Sequence, residues 1–265
     1  MKKMALVLGA LATLASCTTK KQAEPETATK TLVLYYSQTN NTKQVAEAFQ
    51  QKLGADIATF DAATPYDGDF GATIARCQQE MGEGIVPEIS ELTCDIAAYD
   101  TIYLGYPVWF GTYAMPVAGL LKSVDLSGKV IVPFCTFGSG GLNTSSDNLK
   151  AALPDAQILP GYGVRTARVA AAQAEVEEFL IRSGVIEGEV EALADFSEQQ
   201  PVSDEEKAVF DAACGSYSMP LGSPVTCGKR TRSAGTEYLY TCDNNAQIYV
   251  IVAEGAAPEF TQVVR

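Results

Sequence analysis

The chain of 265 residues contains no histidine. That absence excludes Ser-His-Asp and Cys-His catalysis, histidine metal ligation and histidine general bases together. No Cys-x-x-Cys occurs among its seven cysteines, so neither a thioredoxin-type redox pair nor a paired-cysteine zinc site is signalled. Positive charge is scarce. Lys and Arg number 19 against 32 Asp and Glu, a formal net charge of −13, and a face that binds nucleic acid needs clustered cations. The acidity reads either as a solvated surface or as a rim that steers a basic partner. The Gly-x-x-x-x-Gly-Lys-Ser/Thr spacing of a nucleoside-triphosphate loop is missing. The apolar run Met4–Ala15 is too short to span a bilayer as a permanent helix.

What is present begins with that run. Lys2 and Lys3 precede it and Leu14-Ala15-Ser16-Cys17 ends it, a pattern that resembles a bacterial lipobox. The resemblance implies a signal peptide over residues 1–16, cleavage before Cys17 and lipid modification of Cys17 itself. An ordinary secretory signal with a coincidental cysteine is the alternative. Residues 17–30 are polar and Pro-broken, which predicts a flexible tether. The expected location is therefore extracytoplasmic, lipid-anchored to a bacterial membrane on its periplasmic or cell-surface side. Export permits disulfides among Cys77, Cys94, Cys135, Cys214, Cys227 and Cys242, and the sequence does not choose a pairing.

From residue 31 to about 185 strand-like and helix-like stretches alternate. Strands are expected at Thr31–Tyr36, Asp56–Phe60, Thr101–Tyr106, Val130–Thr136 and Gln157–Val164. Helices are expected at Lys43–Leu53, Met115–Ser123, Ser145–Leu153 and Ala167–Ser183. Short strands separated by helices imply a doubly wound α/β domain, a five-stranded parallel sheet covered on both faces. Ligands in such sheets bind at the carboxyl ends of the strands. The loops after the first, third and fourth strands are thus the place to look.

The first loop, Ser37-Gln38-Thr39-Asn40-Asn41-Thr42, opens a helix. Its hydroxyls and the free amides of the helix start would surround a phosphate without help from Lys or Arg. This segment is similar to the FMN-phosphate signature of bacterial flavodoxins, Ser/Thr-x-Thr-Gly-x-Thr, with Asn40 where that family usually has Gly. Asn tolerates left-handed backbone better than most residues. The second loop, Gly105-Tyr106-Pro107-Val108-Trp109-Phe110-Gly111-Thr112-Tyr113, resembles the family's Gly-x-Pro-x-Trp-x-Gly segment beside the flavin ring. It holds the chain's single Trp. The resemblance makes Trp109 the first choice for stacking on the ring, followed by Phe110 and Tyr113, with Pro107, Val108 and Gly111 alongside. The third loop, Thr136-Phe137-Gly138-Ser139-Gly140-Gly141-Leu142-Asn143, looks like the family's third FMN loop, where main-chain amides face the ring's polar edge and Phe137 could cover one face. Pro65-Tyr66 and Arg76 with Glu80 resemble a flavodoxin-like subgroup, in a role the sequence does not reveal. The resemblance spans roughly residues 31–183 and implies the sheet order 2-1-3-4-5, FMN as cofactor and electron transfer between redox partners as function.

Residues 186–200 are acidic and read as a linker. Ser203 and Glu206 form an expected capping box opening a helix through about Cys214. Four β-rich runs follow, at Thr226–Arg232, Glu237–Cys242, Gln247–Val252 and Phe260–Val264, with turns at Ala234-Gly235 and Asp243-Asn244-Asn245. Residues 201–265 thus read as a small α+β module, weakly similar to cystatin-like folds but without their inhibitory Gln-x-Val-x-Gly loop. Cys227 and Cys242 are candidates to pair across its hairpin. Two other functions stay open: an FMN-dependent NAD(P)H:quinone-type reductase, and a surface binding protein that has lost flavin redox function. No Gly-x-Gly-x-x-Gly offers the reductase a second nucleotide site.

Overall fold

Strand β1 (Thr31–Tyr35) sends Leu32 and Leu34 to one face of a sheet and Val33 and Tyr35 to the other, all of them buried. That is the period-two alternation of a strand covered on both sides. It belongs to a computed structural model that describes residues 30–265 apart from 68, 139, 140, 216 and 218. The expected leader, Cys17 and nearly all of the tether lie outside the described residues, as do Ser139 and Gly140.

Helix α1 (Asn41–Leu53) follows β1 and stops at Gly54, whose φ of 60° is left-handed. Then come β2 (Asp56–Thr59), α2 (Phe70–Glu83), β3 (Thr101–Trp109), β4 (Thr112–Tyr113), α3 (Met115–Ser123) and β5 (Val130–Phe137). Helix α4 (Leu142–Ala152), β6 (Gln157–Ile158), β7 (Tyr162–Arg165) and α5 (Ala172–Arg182) complete this part. The parallel order is β2-β1-β3-β5, with β6 and β7 both paired to the far side of β5. This is the expected 2-1-3-4-5 arrangement with its last strand in two pieces. On one face Leu32, Leu34, Ile102, Leu104 and Ile131 pack with Val117, Leu120 and Leu149. On the other Val33, Tyr103, Val132 and Phe134 meet Val45 and Phe49 of α1 and Val176 and Leu180 of α5. Each such side chain, fully buried, contributes about 1.5–3 kcal/mol.

The structure differs from the sequence expectation in three places. The last strand breaks between Ile158 and Tyr162 because Pro160 has no amide to donate and Gly161 crowds β5, where a Cβ would lie 2.2 Å from the Pro133 carbonyl oxygen. The expected helix from Ala167 begins as a 3-10 turn over Thr166–Ala171. Helix α2 has no counterpart in the expected pattern, although Phe70, Ile74, Cys77 and Met81 recur along it at helical spacing; only Cys77 and Glu80 are buried, and Phe70 and Met81 stay exposed. Its start is nevertheless fixed, with the Asp69 side chain accepting from the Ala72 amide (2.8 Å).

Beyond α5, β8 (Gln200–Pro201), α6 (Asp204–Cys214), β9 (Pro224–Arg232), β10 (Gly235–Cys242), β11 (Gln247–Val252) and β12 (Glu259–Val264) form a separate antiparallel sheet with one helix. The capping box is made: the Glu206 amide donates to Ser203 Oγ at 3.2 Å, and the Ser203 amide donates to the Glu206 carboxylate at 2.9 Å. Phe210, Cys214, Cys227, Tyr240, Ile248, Val250 and Phe260 form its core. The stretch read as a linker does not run free of it. The Ser197 amide donates to the Lys229 carbonyl (2.8 Å), and Arg230 lies 4.2 Å from the Phe196 ring centre. All six cysteines among the described residues are thiols. The pairing considered for Cys227 and Cys242 is not made, because Cys227 opposes Tyr240 and Cys242 opposes Pro224.

Arginines join the two parts. Arg165 donates to the Phe260 carbonyl (2.9 Å) and lies 4.2 Å from that ring's centre. Arg168 bridges Glu175 (2.6 Å) and Glu259 (2.7 Å).

Candidate functional site

Because β1, β3 and β5 are parallel neighbours, the loops at their carboxyl ends meet at one edge of the sheet. They line a cleft of about 1700 Å³. Gln38, Thr39 and Asn41 come from the first loop, Pro107, Val108, Trp109, Phe110 and Gly111 from the second, and Thr136, Phe137, Gly138 and Gly141 from the third.

The first loop turns on Asn40, with φ 63° and ψ 1°. That left-handed turn aims the chain into α1, whose leading amides have no acceptor within the helix. The loop is tied internally: the Lys43 amide donates to Ser37 Oγ (3.2 Å), and the Asn41 side chain donates to Thr39 Oγ1 (2.9 Å). Thr42 is buried, and its hydroxyl meets that of Thr136 at 2.8 Å, fastening the first loop to the third. Ser37, Asn40 and Thr42 therefore shape the loop from behind, while Thr39 and Asn41 face the cleft.

The second loop is a two-residue hairpin, with Trp109 paired to Thr112 and positive φ at both Phe110 (50°) and Gly111 (80°). Left-handed backbone is costly for a bulky residue such as Phe110, and such strain gathers at functional sites. Phe110 is 51% exposed. Tyr113 goes elsewhere: it pairs with Val108 and its ring meets Tyr106 at 6.3 Å, so it lies off the cleft. Gly105 serves packing, since a Cβ there would lie 2.1 Å from the Phe134 ring. In the third loop Phe137 is buried in the core beneath the cleft. Open space surrounds the position where a Cβ would stand at Gly138 and Gly141, which leaves room for close approach of a ligand.

Two walls were not foreseen. Asp69, Phe70, Thr73, Ile74 and Cys77 of the α2 region form one, and Phe70 is 82% exposed. Burial pushes the Cys77 thiol up to about 11. Past the three loops the cleft continues between α5 and residues 261–265. The Asp69 cap and Gly84, left-handed at φ 67°, are the signals that would have revealed α2. Contacts between distant parts of the chain leave no such mark.

Over residues 30–180 the chain matches the flavodoxin family. It belongs to that family. A provisionally assigned flavoprotein from Bacteroides uniformis is 25% identical, covering 56% of this chain and 98% of its own, with a TM-score of 0.50. A second from Bacteroides eggerthii is 27% identical over 56% and 98%, with a TM-score of 0.47. A flavoprotein in complex with FMN from Lactobacillus acidophilus is 24% identical over 57% and 98%, with a TM-score of 0.48. No curated protein matches the chain.

The flavodoxin cofactor is FMN, and the donor set here fits it. The Asn40 turn, the helix-start amides and the Thr39 and Asn41 side chains suit a phosphate dianion. Trp109 and the open space at Gly138 and Gly141 suit a flat aromatic ring.

Proposed function

We propose that this flavodoxin-family protein binds FMN across the three loops and passes electrons between redox partners. One observation carries the reading: the loops after β1, β3 and β5, far apart in sequence, meet on one cleft that contains the chain's single Trp. FMN, when bound, supplies the one- and two-electron chemistry. The chain's own residues hold and orient it. Amides from Thr39 to Thr42 grip the phosphate, the Thr42–Thr136 bond keeps first and third loops together, and Trp109 covers a ring face and excludes water. Titrating the purified protein with FMN tests this. Binding with quenched flavin fluorescence supports it, and a flat titration overturns it.

One observation favours a second reading, an FMN-dependent NAD(P)H:quinone-type reductase. The cleft does not end at the three loops but runs on between α5 and residues 261–265, an extension that offers a small acceptor or donor a place of its own. Oxidation of NAD(P)H by the FMN-loaded protein without any added reductase would select the enzyme over the carrier.

The proposed setting is extracytoplasmic, with lipid on Cys17 holding the protein at a bacterial membrane. Replacing Cys17 with Ser should move the protein from the membrane to the soluble fraction. Retention in the membrane would contradict lipid anchoring at that residue.

A further inference from the structure

Tyr66, Arg76 and Glu80 lie near the cleft but are not in its lining. They form a closed set of contacts directly behind Trp109. The Tyr66 and Trp109 rings meet in a T-shaped arrangement, with centres 5.1 Å apart and planes at 67°. Three groups hold Tyr66. Its hydroxyl donates to Glu80, a carboxylate only 7% exposed. The Arg76 guanidinium lies 3.8 Å from the ring centre and bonds the other Glu80 oxygen (2.8 Å). Its Nη1 donates to both the Thr64 carbonyl (2.9 Å) and the Pro65 carbonyl (2.8 Å). The Tyr66 carbonyl is taken as well, by the Gln38 side chain of the phosphate loop. Gln38 in turn accepts from the Tyr36 hydroxyl (2.5 Å), and the Tyr36 ring meets Trp109 from a second side, at 5.8 Å and 89°.

Tyr36, Gln38, Tyr66 and Trp109 thus form a ring of contacts, and α2 clamps it through Arg76 and Glu80. Burial, and for Tyr66 the hydrogen bond to Glu80, push both tyrosine hydroxyls above the usual phenol range, so both remain neutral donors. A buried carboxylate paired with an arginine is costly to place. Here the pair is spent on a loop of three residues and one aromatic ring, which implies that the orientation of that ring matters.

We propose that Tyr66 is a positioning residue for the flavin site: gripped by Arg76 and Glu80, it sets the pose of Trp109 and ties that pose to the phosphate loop through Gln38. This rests on the FMN reading above. Tyr66 acts through Trp109, so its effect depends on Trp109 being present, whereas a general loss of structure would not.

The test is a double-mutant cycle on FMN affinity, with the visible circular dichroism of bound flavin as a second readout. Tyr66→Leu should weaken FMN binding roughly five- to tenfold and change the dichroism. In a Trp109→Ala background the same substitution should change affinity by less than about twofold. Equal losses in the two backgrounds, or no loss in the native one, would overturn the proposal. Should Tyr66→Leu fail to fold, Arg76→Lys takes its place, because it keeps the charge and loses the two-carbonyl grip. Its expected loss is about two- to threefold, again abolished without Trp109. If the native protein does not bind FMN at all, the flavin reading itself fails, an outcome distinct from native binding that the substitutions leave unchanged.

Discussion

The two halves of the molecule differ in where they place charge. In the parallel-sheet half, the end of the cleft proposed for phosphate offers amides, hydroxyls and an Asn side chain and the end proposed for the ring offers aromatics and open glycines, with the Arg76–Glu80 pair set behind them. In the antiparallel half and at the junction, ion pairs hold the arrangement: Arg230 with Glu237 (2.7 Å), Lys229 with Glu206 (2.9 Å) and Arg168 with Glu175 and Glu259. At its three-loop end the cleft therefore offers an anionic ligand dipoles rather than cations. Ligand affinity and architecture should then be separable by mutation.

The largest expected effect lies far from the cleft's phosphate end. Phe260→Ala empties the antiparallel core and should cost about 3–5 kcal/mol in denaturant unfolding, while FMN affinity below the transition stays near the native value. A parallel loss of flavin binding in native buffer would show that the halves are not separable. Trp109→Ala should do the reverse. It should weaken FMN roughly ten- to a hundredfold in a fluorescence titration with the smaller change in unfolding midpoint. Next in size, Arg168→Ala leaves Glu175 and Glu259 facing each other without their cation and should destabilise the protein by about 2 kcal/mol. Calorimetry that finds no change would contradict a junction held by that arginine. The smallest effect is expected at Asn40→Gly. Gly adopts left-handed backbone without a Cβ penalty, so stability should rise by roughly 0.5 kcal/mol and FMN binding should hold or tighten. Weaker binding would instead assign the Asn40 side chain a direct part in the site.

The parts legible in the sequence were those whose signal is local. Alternating apolar residues in Leu32–Tyr35, the helical stripe from Val45 to Phe49 and the Ser203–Glu206 box each appear in the structure as read. The three loops proposed to hold FMN were legible as motifs, and their meeting followed from a parallel sheet, where successive strand ends share an edge. Within them, a two-residue hairpin turns Tyr113 back toward Tyr106, a geometry that spacing does not reveal. Helix α2 lay outside the expected pattern even though its signal is local, with Phe70, Ile74, Cys77 and Met81 at helical spacing between the Asp69 cap and Gly84. The set of Gln38, Tyr66, Arg76 and Glu80 joins residues up to 42 positions apart. The resemblance marks Tyr66, Arg76 and Glu80, but only the folded chain reveals that they close on one another, on Gln38 and on Trp109. The stretch read as a linker is fastened to the antiparallel sheet by a backbone bond from Ser197 to Lys229 and by the side chains of Glu191, Phe196, Ser197 and Gln199, contacts between distant residues that no composition records.

The central claim is that the cleft at the ends of β1, β3 and β5 holds FMN with its ring against Trp109. A titration of the purified protein with FMN, followed by flavin absorbance and fluorescence, tests it most directly. Saturable binding, with the fluorescence quenched in the native protein and restored in Trp109→Ala, is the predicted result. A colourless protein that leaves the spectrum and fluorescence of added FMN unchanged would contradict it.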